Sequence, residues 1–393
     1  MKKIAVLVER DRAYGRGVCE GIAAAAPRED DWVLEFISGA TLERTSGLKG
    51  FSGCIARVPD NRVAKRLSAS GLPVVDVFCT REYPASGFGS VDGDQAAIGR
   101  MAAEHFLSLR FTSFAYCGYE GHAYSDIRRD AFAGLVGERG FGCSVFKTPA
   151  KALATFNATV TRKEYVGLGT DAKALAKWLR GLPDKTAVFC CQDTRAWQVV
   201  TLCREEGIPV PDRLAVLGVD NDPLVCSFIA PSISSIDNAA HRIGETAVAV
   251  LSRMMRSEEA RKRPPRVRVK PGGLYPRSST EVYALNPKWL SDALIFITRN
   301  VAKGLTASDV AAFTGNSYTT VETVFKRVLG STVQQEIARS RIEEAKRLLT
   351  RTALPVETVA RRSGFKSPQY FCRMFKAAVG STAEAFRCRS CQE

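Results

Sequence analysis

The stretch Asp309-Val310-Ala311-Ala312-Phe313-Thr314-Gly315-Asn316-Ser317 continues to Val321, Phe325-Lys326 and Gly330-Ser331-Thr332. A second stretch, Thr358-Val359-Ala360-Arg361-Arg362-Ser363-Gly364-Phe365-Lys366-Ser367, continues to Phe371, Phe375-Lys376 and Gly380-Ser381-Thr382. Four pairs of identical residues lie 50 positions apart: Ser317 and Ser367, Phe325 and Phe375, Lys326 and Lys376, and Gly330 and Gly380. A short helix, a turn with glycine and a second helix beginning at a serine are typical of a helix-turn-helix unit. Two such units in one chain suggest a protein that contacts two successive major-groove segments of one DNA duplex.

The net charge supports this interpretation through its position in the chain. The whole sequence carries +15, but residues 1–250 hold 30 Lys and Arg against 29 Asp and Glu. Residues 251–285 hold 9 against 3, and residues 286–393 hold 17 against 9. The positive charge therefore coincides with the repeated motif and the segment before it, where a phosphate-binding surface is needed.

Length and composition indicate a soluble protein of several domains. A chain of 393 residues, 45% of them hydrophobic and 25% charged, is long enough for two or three globular domains. We find no apolar run near the roughly 18–20 residues of a membrane span, and the apolar part of 1–9 is too short for a signal peptide. We expect a cytoplasmic protein without a membrane partner.

The cysteines do not suggest a disulfide framework or a metal site. The 12 cysteines are spread along the chain, and several lie among apolar residues, where a free thiol packs as a small hydrophobic group. Cys388 and Cys391 have the CxxC spacing, but a zinc site needs two further ligands and none follows at a suitable spacing. We expect neither a metal nor a cofactor.

Strand and helix patterns alternate through the first 280 residues. Short apolar runs at 3–8, 33–37, 53–58, 74–78, 114–117, 187–191 and 214–219 predict strands, separated by helical patterns such as 18–26, 95–108 and 128–139. Alternation of this kind predicts parallel sheets covered by helices on both faces. Ligands of such sheets bind at the carboxyl ends of the strands.

The glycines of 15–21 offer a dinucleotide-binding loop as an alternative interpretation. About six residues separate the end of the first strand near Val8 from Gly15, whereas the dinucleotide fingerprint begins directly after its strand. We therefore expect no nucleotide cofactor here.

Motifs between 128 and 280 carry a resemblance to a known family. They are Arg128-Arg129-Asp130-Ala131-Phe132, Ala187-Val188-Phe189-Cys190-Cys191-Gln192-Asp193, Leu214-Ala215-Val216-Leu217-Gly218-Val219-Asp220-Asn221-Asp222, Ser234-Ser235-Ile236-Asp237 and Pro264-Pro265-Arg266-Val267-Arg268-Val269. In order and spacing this part of the chain resembles the effector domain of the lactose-repressor (LacI/GalR) family, which is itself similar to periplasmic sugar-binding proteins. Ala131 departs from the glycine that the family has in its Arg-x-x-Gly-Phe motif.

The resemblance implies an α/β sensor of two lobes, covering 1–280, joined by three crossovers. We place one lobe at about 3–108 plus 237–258 and the other at about 112–233 plus 265–275. The implied ligand is a sugar in the cleft, and closure of the lobes is the implied switch.

The ligand-binding candidates come from this resemblance and from the chemistry of sugars. By position, Asp220, Arg128, Gln192 and Asp193 match the family residues that contact the sugar, and the loop with Asp11 and Tyr14 follows the first strand. Carboxylate, amide and guanidinium groups form paired hydrogen bonds to adjacent sugar hydroxyls. Helix-capping roles for Asp220 and Asp193, and a surface ion pair for Arg128, are the alternatives.

The C-terminal region, 281–393, shows a series of helix patterns. They cover 288–300, 306–313, 317–328, 333–350, 356–362, 367–379 and 383–387, after a basic segment at 261–276 that we interpret as a linker. The helix order, the run Arg341-Ile342-Glu343-Glu344-Ala345 and the run Gly364-Phe365-Lys366-Ser367 resemble the AraC/XylS DNA-binding domain over about 287–387. The implied fold is all-α with two helix-turn-helix motifs.

The resemblance assigns DNA contacts to two recognition helices, whose N-terminal residues meet base edges. The base-reading candidates are Tyr318, Thr319, Glu322 and Thr323 in the first helix and Gln369, Cys372 and Arg373 in the second, and the phosphate-binding candidates are Ser317, Lys326, Ser367 and Lys376. Gln369 suits adenine and Arg373 suits guanine. The first helix is atypical, because family members often have Arg or Lys at positions such as 318 and 323.

A sensor of the first family joined to a DNA-binding domain of the second implies a sugar-responsive transcription regulator and not an enzyme. We expect an activator whose effector is a pentose or related monosaccharide such as D-xylose. The expected partners are promoter double-stranded DNA, the sugar effector, a second copy in a homodimer, and RNA polymerase. A regulator for a different carbohydrate is the alternative.

Two rival classes remain less favoured. A cytoplasmic carbohydrate enzyme needs a nucleophile, base or metal constellation, and the chain's 3 histidines are scattered. A sugar-transport binding protein needs a signal peptide and no basic C-terminal domain.

Overall fold

The computed structural model describes residues 1–29, 31–38, 42, 48–78, 87–148 and 171–392, without the side chains of 351 and 389–392. The chain forms two compact units, 1–281 and 282–393. None of the helices in the described ranges is both long and apolar enough to cross a membrane.

Unit 1 alternates strands and helices, as the sequence predicts for an α/β sensor. Its strands are β1 (Lys2–Leu7), β2 (Trp32–Phe36), β3 (Gly53–Ala56), β4 (Val74–Asp76), β5 (Gly89–Gly93), β6 (Ser113–Cys117), β7 (Cys143–Phe146), β8 (Thr186–Cys190), β9 (Leu214–Val219), β10 (Ser234–Asp237), β11 (Arg266–Val269) and β12 (Gly273–Tyr275). Its helices are α1 (Ala13–Ala25), α2 (Asn61–Ala69), α3 (Gln95–Ser108), α4 (Ala123–Glu138), α5 (Ala172–Gly181), α6 (Asp193–Glu205), α7 (Pro223–Ser227), α8 (Ala240–Arg256) and α9 (Glu258–Lys262).

The strands form two six-stranded sheets, one for each lobe. The first has the order β11-β5-β4-β3-β1-β2 and the second β12-β10-β9-β8-β6-β7. Strands β3, β8 and β9 are buried along their whole length, as expected for parallel strands covered by helices on both faces. The predicted two-lobed fold with parallel sheets is confirmed.

The glycines near the N-terminus serve helix packing. They lie inside α1, which packs against α8. A Cβ at Gly21 would stand 1.9 Å from the carbonyl oxygen of His241, and one at Gly244 would stand 2.1 Å from that of Val18. Only glycine allows the two helices to approach so closely.

Two details of the lobes differ from the sequence-based prediction. The segment 265–275, expected in the second lobe, is split between the sheets. Strand β11 pairs parallel with β5 of the first sheet, and β12 pairs antiparallel with β10 of the second. The parallel strands of both sheets point their carboxyl ends toward the cleft. A strand that enters the second sheet directly from the first, as β12 does, therefore runs antiparallel to its neighbour. The segment 261–276, interpreted as a linker, is thus part of the sensor.

Helix α3 is the second difference, because we assigned 95–108 to the first lobe. It packs on α4, and the ring of Phe106 contacts those of Phe111 and Phe132, with centroids 5.6 and 6.4 Å apart. The chain therefore crosses to the second lobe at Asp94, before the helix. The helical pattern gave the correct limits of α3 but carried no information about which sheet it covers.

Unit 2 is entirely helical. Its helices are α10 (Lys288–Asn300), α11 (Ala307–Thr314), α12 (Tyr318–Leu329), α13 (Val333–Arg351), α14 (Val356–Arg362), α15 (Pro368–Val379) and α16 (Ala383–Gln392). The pairs α11–α12 and α14–α15 are the two helix-turn-helix motifs predicted from the repeat. Gly315 lies in the first turn with φ +66°, and Gly364 in the second with φ +86°.

The two motifs have separate cores connected by α13. Val333 and Ile337 at the start of this helix pack into the core around Phe325, whereas Leu348 and Leu349 near its end pack into the core around Phe375. Phe325 and Phe375 have no exposed surface. One long helix therefore joins the two motifs and contributes side chains to both cores.

Alanine at Phe325 or at Phe375 should destabilise only the half of unit 2 that contains it. Each truncation removes a fully buried ring and should lower the local free energy of opening by about 3–5 kcal/mol. Hydrogen exchange of the backbone amides measures this change for each helix. Equal loss of protection in both halves after either substitution would show that the two cores open as one.

Candidate functional site

A cavity of about 560 Å³, part of it open to solvent, lies between the two lobes of unit 1. It is lined by residues of both lobes: Glu9, Arg12, Tyr14, Arg57, Phe78, Asp92, Gln95, Tyr124, Arg128, Gln192, Asp220 and Asn238. Seven of them stand one or two positions after the end of a strand. Glu9 comes after β1, Arg57 after β3, Gln192 after β8 and Asp220 after β9. This is the strand edge at which open parallel sheets bind ligands.

Asp220 is the carboxylate that the second lobe presents to the cavity. One of its oxygens accepts a hydrogen bond of 2.7 Å from the side-chain amide of Asn238. Burial raises the pKa of Asp220 to about 6, although the guanidinium of Arg128 acts to lower it. A buried carboxylate with remaining acceptor capacity gains energy from a ligand that donates hydrogen bonds.

Arg128 projects from α4 and is itself held in place. Its Nε donates to Oε1 of Gln95 at 2.8 Å, and Nη1 donates to the backbone carbonyl of Cys191. The guanidinium carbon lies 5.3 Å from the centre of the Tyr124 ring. These contacts fix the direction of the remaining N–H groups of Arg128, so that these groups can donate hydrogen bonds to a ligand with defined geometry.

The first lobe contributes a charged and aromatic wall. The guanidinium carbon of Arg57 lies 3.6 Å above the ring centre of Phe78, and its Nη1 is 2.5 Å from a carboxylate oxygen of Glu9. Tyr14 donates its hydroxyl to the backbone carbonyl of Val77. The Phe78 ring also reaches across to Tyr124 of the second lobe, with centroids 6.3 Å apart.

Asp92 is a second cavity carboxylate with a shifted pKa. Its Oδ1 accepts from the backbone N–H of Gly93 at 2.7 Å and from the side chain of Gln95 at 3.2 Å. Burial raises its pKa to about 6, against the opposing effect of these hydrogen bonds. Because Gln95 contacts both Asp92 and Arg128, one amide connects the charged groups of the two lobes.

The structure brings four of the six predicted ligand residues into the cavity: Asp220, Arg128, Gln192 and Tyr14. Asp193 does not line it, since its two oxygens accept from the backbone N–H of Asp222 and from the hydroxyl of Ser235 inside the second lobe. Asp11 is exposed, and its neighbour Arg12 lines the cavity in its place.

Eight cavity residues were not predicted: Glu9, Arg12, Arg57, Phe78, Asp92, Gln95, Tyr124 and Asn238. Glu9 directly follows the predicted strand 3–8, so the strand-end rule would have found it. Arg57 and Phe78 lie inside the predicted strands 53–58 and 74–78, which end earlier in the structure, at Ala56 and Asp76. Together the lining side chains offer three carboxylates, three guanidinium groups and an aromatic wall. This set suits a compact ligand with several hydroxyl groups and apolar C–H faces.

The second candidate site is formed by the exposed faces of α12 and α15. Ser317 and Ser367, predicted to bind phosphate, are the N-caps of these helices. The hydroxyl of Ser317 accepts from the N–H of Thr320 at 3.1 Å, and that of Ser367 accepts from the N–H of Tyr370 at 3.3 Å. Capping by serine fixes where each helix begins and hence which side chains lie in its first turn.

Helix α15 presents polar and basic side chains. Gln369, Cys372, Arg373 and Lys376 are all exposed. The side-chain oxygen of Gln369 accepts from Ser367 at 2.8 Å, and the guanidinium of Arg373 lies 5.3 Å from the ring centre of Tyr370. Both side chains therefore have local partners that restrict their directions while the remaining donors face solvent.

Helix α12 presents a different surface. The Tyr318 hydroxyl donates to a carboxylate oxygen of Glu322 at 3.3 Å, and the Thr323 hydroxyl donates to the carbonyl of Thr319 at 2.8 Å. Thr323 stands where the second motif has Arg373, and Lys326, the equivalent of Lys376, is exposed. On the opposite face, Val321, Phe325, Phe371 and Phe375 are buried. Of the CxxC pair, Cys388 is exposed, and the side chain of Cys391 lies outside the described residues.

Family models match both parts of the chain. A periplasmic binding protein-like domain model matches residues 103–280, and a helix-turn-helix domain model matches residues 310–389. The match to the first model begins within α3 and ends at the last residues of unit 1, and the second covers both helix-turn-helix motifs.

Relatives and solved structures extend the similarity along the chain. The xylose operon regulatory protein of Escherichia coli (strain K12) is 27% identical over 395 residues, covering 98% of this chain and 96% of that protein. The structure of the xylose-binding transcription activator xylR matches with a TM-score of 0.60 at 25% identity, covering 98% of this chain and 97% of the other. A ribose-bound LacI family regulator from Enterococcus faecium matches 71% of this chain with a TM-score of 0.56 at 19% identity, a likeness of fold. The chain is thus a homologue of the xylose operon regulatory proteins along almost its whole length, with a periplasmic-binding-protein-like sensor followed by a C-terminal helix-turn-helix domain.

Proposed function

We propose that the chain is a sequence-specific DNA-binding transcription activator whose effector is a monosaccharide such as D-xylose. The observation that carries this proposal is the presence in one chain of a polar inter-lobe cavity and two exposed recognition helices. The relatives over 98% of the chain are named as regulators of a xylose operon, which favours a regulator over a carbohydrate enzyme.

The cavity chemistry supports a neutral sugar. The negative charges of its three carboxylates and the positive charges of its three guanidinium groups balance one another, so the site does not require a charged ligand. Adjacent hydroxyls of a sugar can donate to Asp220 and Asp92 and accept from Arg128. The aromatic side chains of Phe78, Tyr124 and Tyr14 cover the C–H groups of a sugar ring. The proposed ligand residues are therefore Asp220, Arg128, Gln192 and Tyr14, joined by the cavity residues of the first lobe.

The DNA-binding role is supported by charge and by the helix faces. Residues 286–393 carry 17 basic against 9 acidic side chains. We assign base reading in the second motif to Gln369 and Arg373, and phosphate contact to Lys376 and Lys326. In the first motif Tyr318, Thr319, Glu322 and Thr323 face the same groove but offer fewer donors, with Glu322 suited to cytosine.

The proposed mechanism is a shift between conformations. A sugar that contacts both lobes binds the closed sensor more tightly than the open one and so increases the closed population. In a homodimer that acts in the cytoplasm, closure changes how the DNA-binding domains engage the promoter and present themselves to RNA polymerase. A pentose other than D-xylose would act through the same groups.

Titration calorimetry with D-xylose, L-arabinose, D-ribose and D-glucose tests the sensor. We expect one of the pentoses to bind, and the substitution Asp220→Asn to lower its affinity roughly tenfold to hundredfold, because a buried acceptor of sugar hydroxyls is lost. Asp184→Asn is the matched control, since Asp184 is an 83% exposed carboxylate of the same lobe. Failure of every sugar to bind would remove the monosaccharide assignment.

Sugar affinity should also depend on pH. Burial raises the pKa values of Asp92 and Asp220 to about 6, so both carboxylates are ionised above that pH and become protonated below it. Sugar hydroxyls that donate to the ionised form stabilise it, so affinity should level off above pH 7 and fall by up to about tenfold per pH unit below 6 for each carboxylate required. Titrations from pH 5 to 8 measure this, and Asp220→Asn should flatten the profile. A flat profile in the unsubstituted protein would contradict direct contact with these carboxylates.

The two basic side chains of α15 should respond differently to alanine. Arg373→Ala should cost about 1–3 kcal/mol of operator affinity and relax specificity at one base pair, because a base contact is lost. Lys376→Ala should weaken all sequences alike and reduce the salt dependence by about one counterion. Gel shifts over a range of salt, with a randomised operator library, distinguish the two. Thr323→Ala, at the equivalent position of α12, should have a smaller effect than Arg373→Ala.

A further inference from the structure

The loop that follows β9 carries two carboxylates with different tasks. Asp220, in the second lobe, faces the cavity between the lobes. Two residues later, Asp222 forms an ion pair of 2.9 Å with Arg16 of α1, which belongs to the first lobe. The Asp222 side chain is only 4% exposed, so this pair is a shielded contact between the lobes. The same three-residue loop thus carries a carboxylate that lines the cavity and a carboxylate that contacts the other lobe.

This loop has a backbone conformation that requires support. Asp220 has φ +112° and Asn221 has φ +51°, both in the left-handed range that residues with a Cβ seldom adopt. Two such residues in succession persist only where surrounding contacts determine them. The loop therefore depends on hydrogen bonds from outside it.

Asp193 accepts two hydrogen bonds that hold this loop in place, one directly and one through Ser235. Its Oδ2 accepts from the N–H of Asp222 at 2.8 Å, and its Oδ1 accepts from the hydroxyl of Ser235 at 2.6 Å. The oxygen of Ser235 in turn accepts from the N–H of Asn221 at 3.0 Å. The N–H groups of Asn221 and Asp222 therefore end, directly or through one hydroxyl, at a single carboxylate that is 1% exposed, while the N–H of Asp220 donates to the carbonyl of Ile236 at 2.9 Å.

Strand β9, which precedes the loop, has a glycine at the point where the carboxylate of Asp193 approaches it. A Cβ at Gly218 of β9 would stand 2.2 Å from Oδ1 of Asp193. The glycine therefore allows Asp193 to approach the strand closely enough to reach the loop that follows it. Asp193 reaches the loop from α6, so the start of that helix is also tied to its geometry.

We propose that Asp193 is a positioning residue that couples ligand binding to lobe closure by holding the loop of Asp220, Asn221 and Asp222. It touches neither the cavity nor the first lobe. Through Asp222 it holds the partner of Arg16, and through the same loop it sets the direction of Asp220. The inference rests on the proposed sugar-sensing function for its ligand part and on hydrogen bonds within the second lobe for its loop part.

Hydrogen exchange of the ligand-free full chain tests the loop part. Asp193→Ala should accelerate exchange at the amides of both Asn221 and Asp222, whereas Ser235→Ala should accelerate it at Asn221 alone. The milder Ser235→Ala keeps the test available if Asp193→Ala does not fold. Asp171→Ala is the matched control, because Asp171 is a buried carboxylate of the same lobe that pairs with Arg195 at 2.6 Å. The control should leave the loop amides unchanged, and unchanged loop amides in the other two variants would overturn the proposal.

Titration with D-xylose tests the coupling. Asp193→Ala should weaken binding by roughly tenfold or more, and adding Asp220→Asn should weaken it little further, because both act through one loop. Arg16→Gln should weaken binding in the unsubstituted protein but have less effect in the Asp193→Ala background. Fully additive losses would overturn the coupling. If the unsubstituted protein binds none of the sugars tested, the proposed effector fails, while the exchange pattern still supports or overturns the positioning role.

Discussion

Charged side chains taken out of water require opposite charges or hydrogen bonds, and the sensor of this chain is arranged around that requirement. Asp92 and Asp220 are buried deeply enough that their pKa values rise to about 6, and Arg128 is held by hydrogen bonds to Gln95 and to the carbonyl of Cys191, both in the second lobe. The groups compensate one another only in part, because carboxylates that shift upward have not recovered all the stabilisation that water gave them. A ligand with several hydroxyl donors supplies what is missing. In the proposed mechanism, the same shortage of hydrogen bonds links ligand binding to lobe closure.

The local sequence pattern predicted the limits of several helices correctly, but it did not predict which sheet each helix or strand packs against. Helices α3, α10 and α14 have the limits that periodicity and capping indicated, because those signals lie within the helix itself. Which sheet a segment joins is set by contacts distant in sequence. For this reason 265–275 was assigned to one lobe although β11 and β12 belong to different sheets, and α3 was assigned to the wrong lobe. The sequence of a strand of three or four residues does not show which sheet it joins or from which direction the chain enters that sheet.

The site shows the same limit at the level of single side chains. Asp193 and Asp220 both follow a strand of the second sheet, and sequence alone gave them the same role. In the structure Asp220 lines the cavity. Asp193 points into the interior of the second lobe, where Gly218, having no side chain, leaves room for its carboxylate. Resemblance to a family located the second lobe's residues, since its motifs are in that lobe. The one motif that falls in the first lobe, 264–269, carries none of the cavity residues, so Arg57, Phe78 and Asp92 became visible only when the two sheets were placed edge to edge.

The duplicated DNA-binding motif shows how a repeat can preserve packing while its surface diverges. Phe325 and Phe375 occupy equivalent buried positions, and a change in either would leave a cavity. The exposed positions are under no such packing constraint, and there Thr323 stands against Arg373, and Glu322 against Cys372. An acidic side chain near phosphates lowers affinity for any DNA, and it gains specificity only where a cytosine can donate to it. Under the proposed assignment of DNA contacts, the second motif supplies most of the attraction to DNA, and the first acts chiefly by rejecting sequences that do not satisfy Glu322. A regulator built in this way gains discrimination from the weaker of its two motifs, because a mismatch there leaves an unsatisfied carboxylate facing the groove.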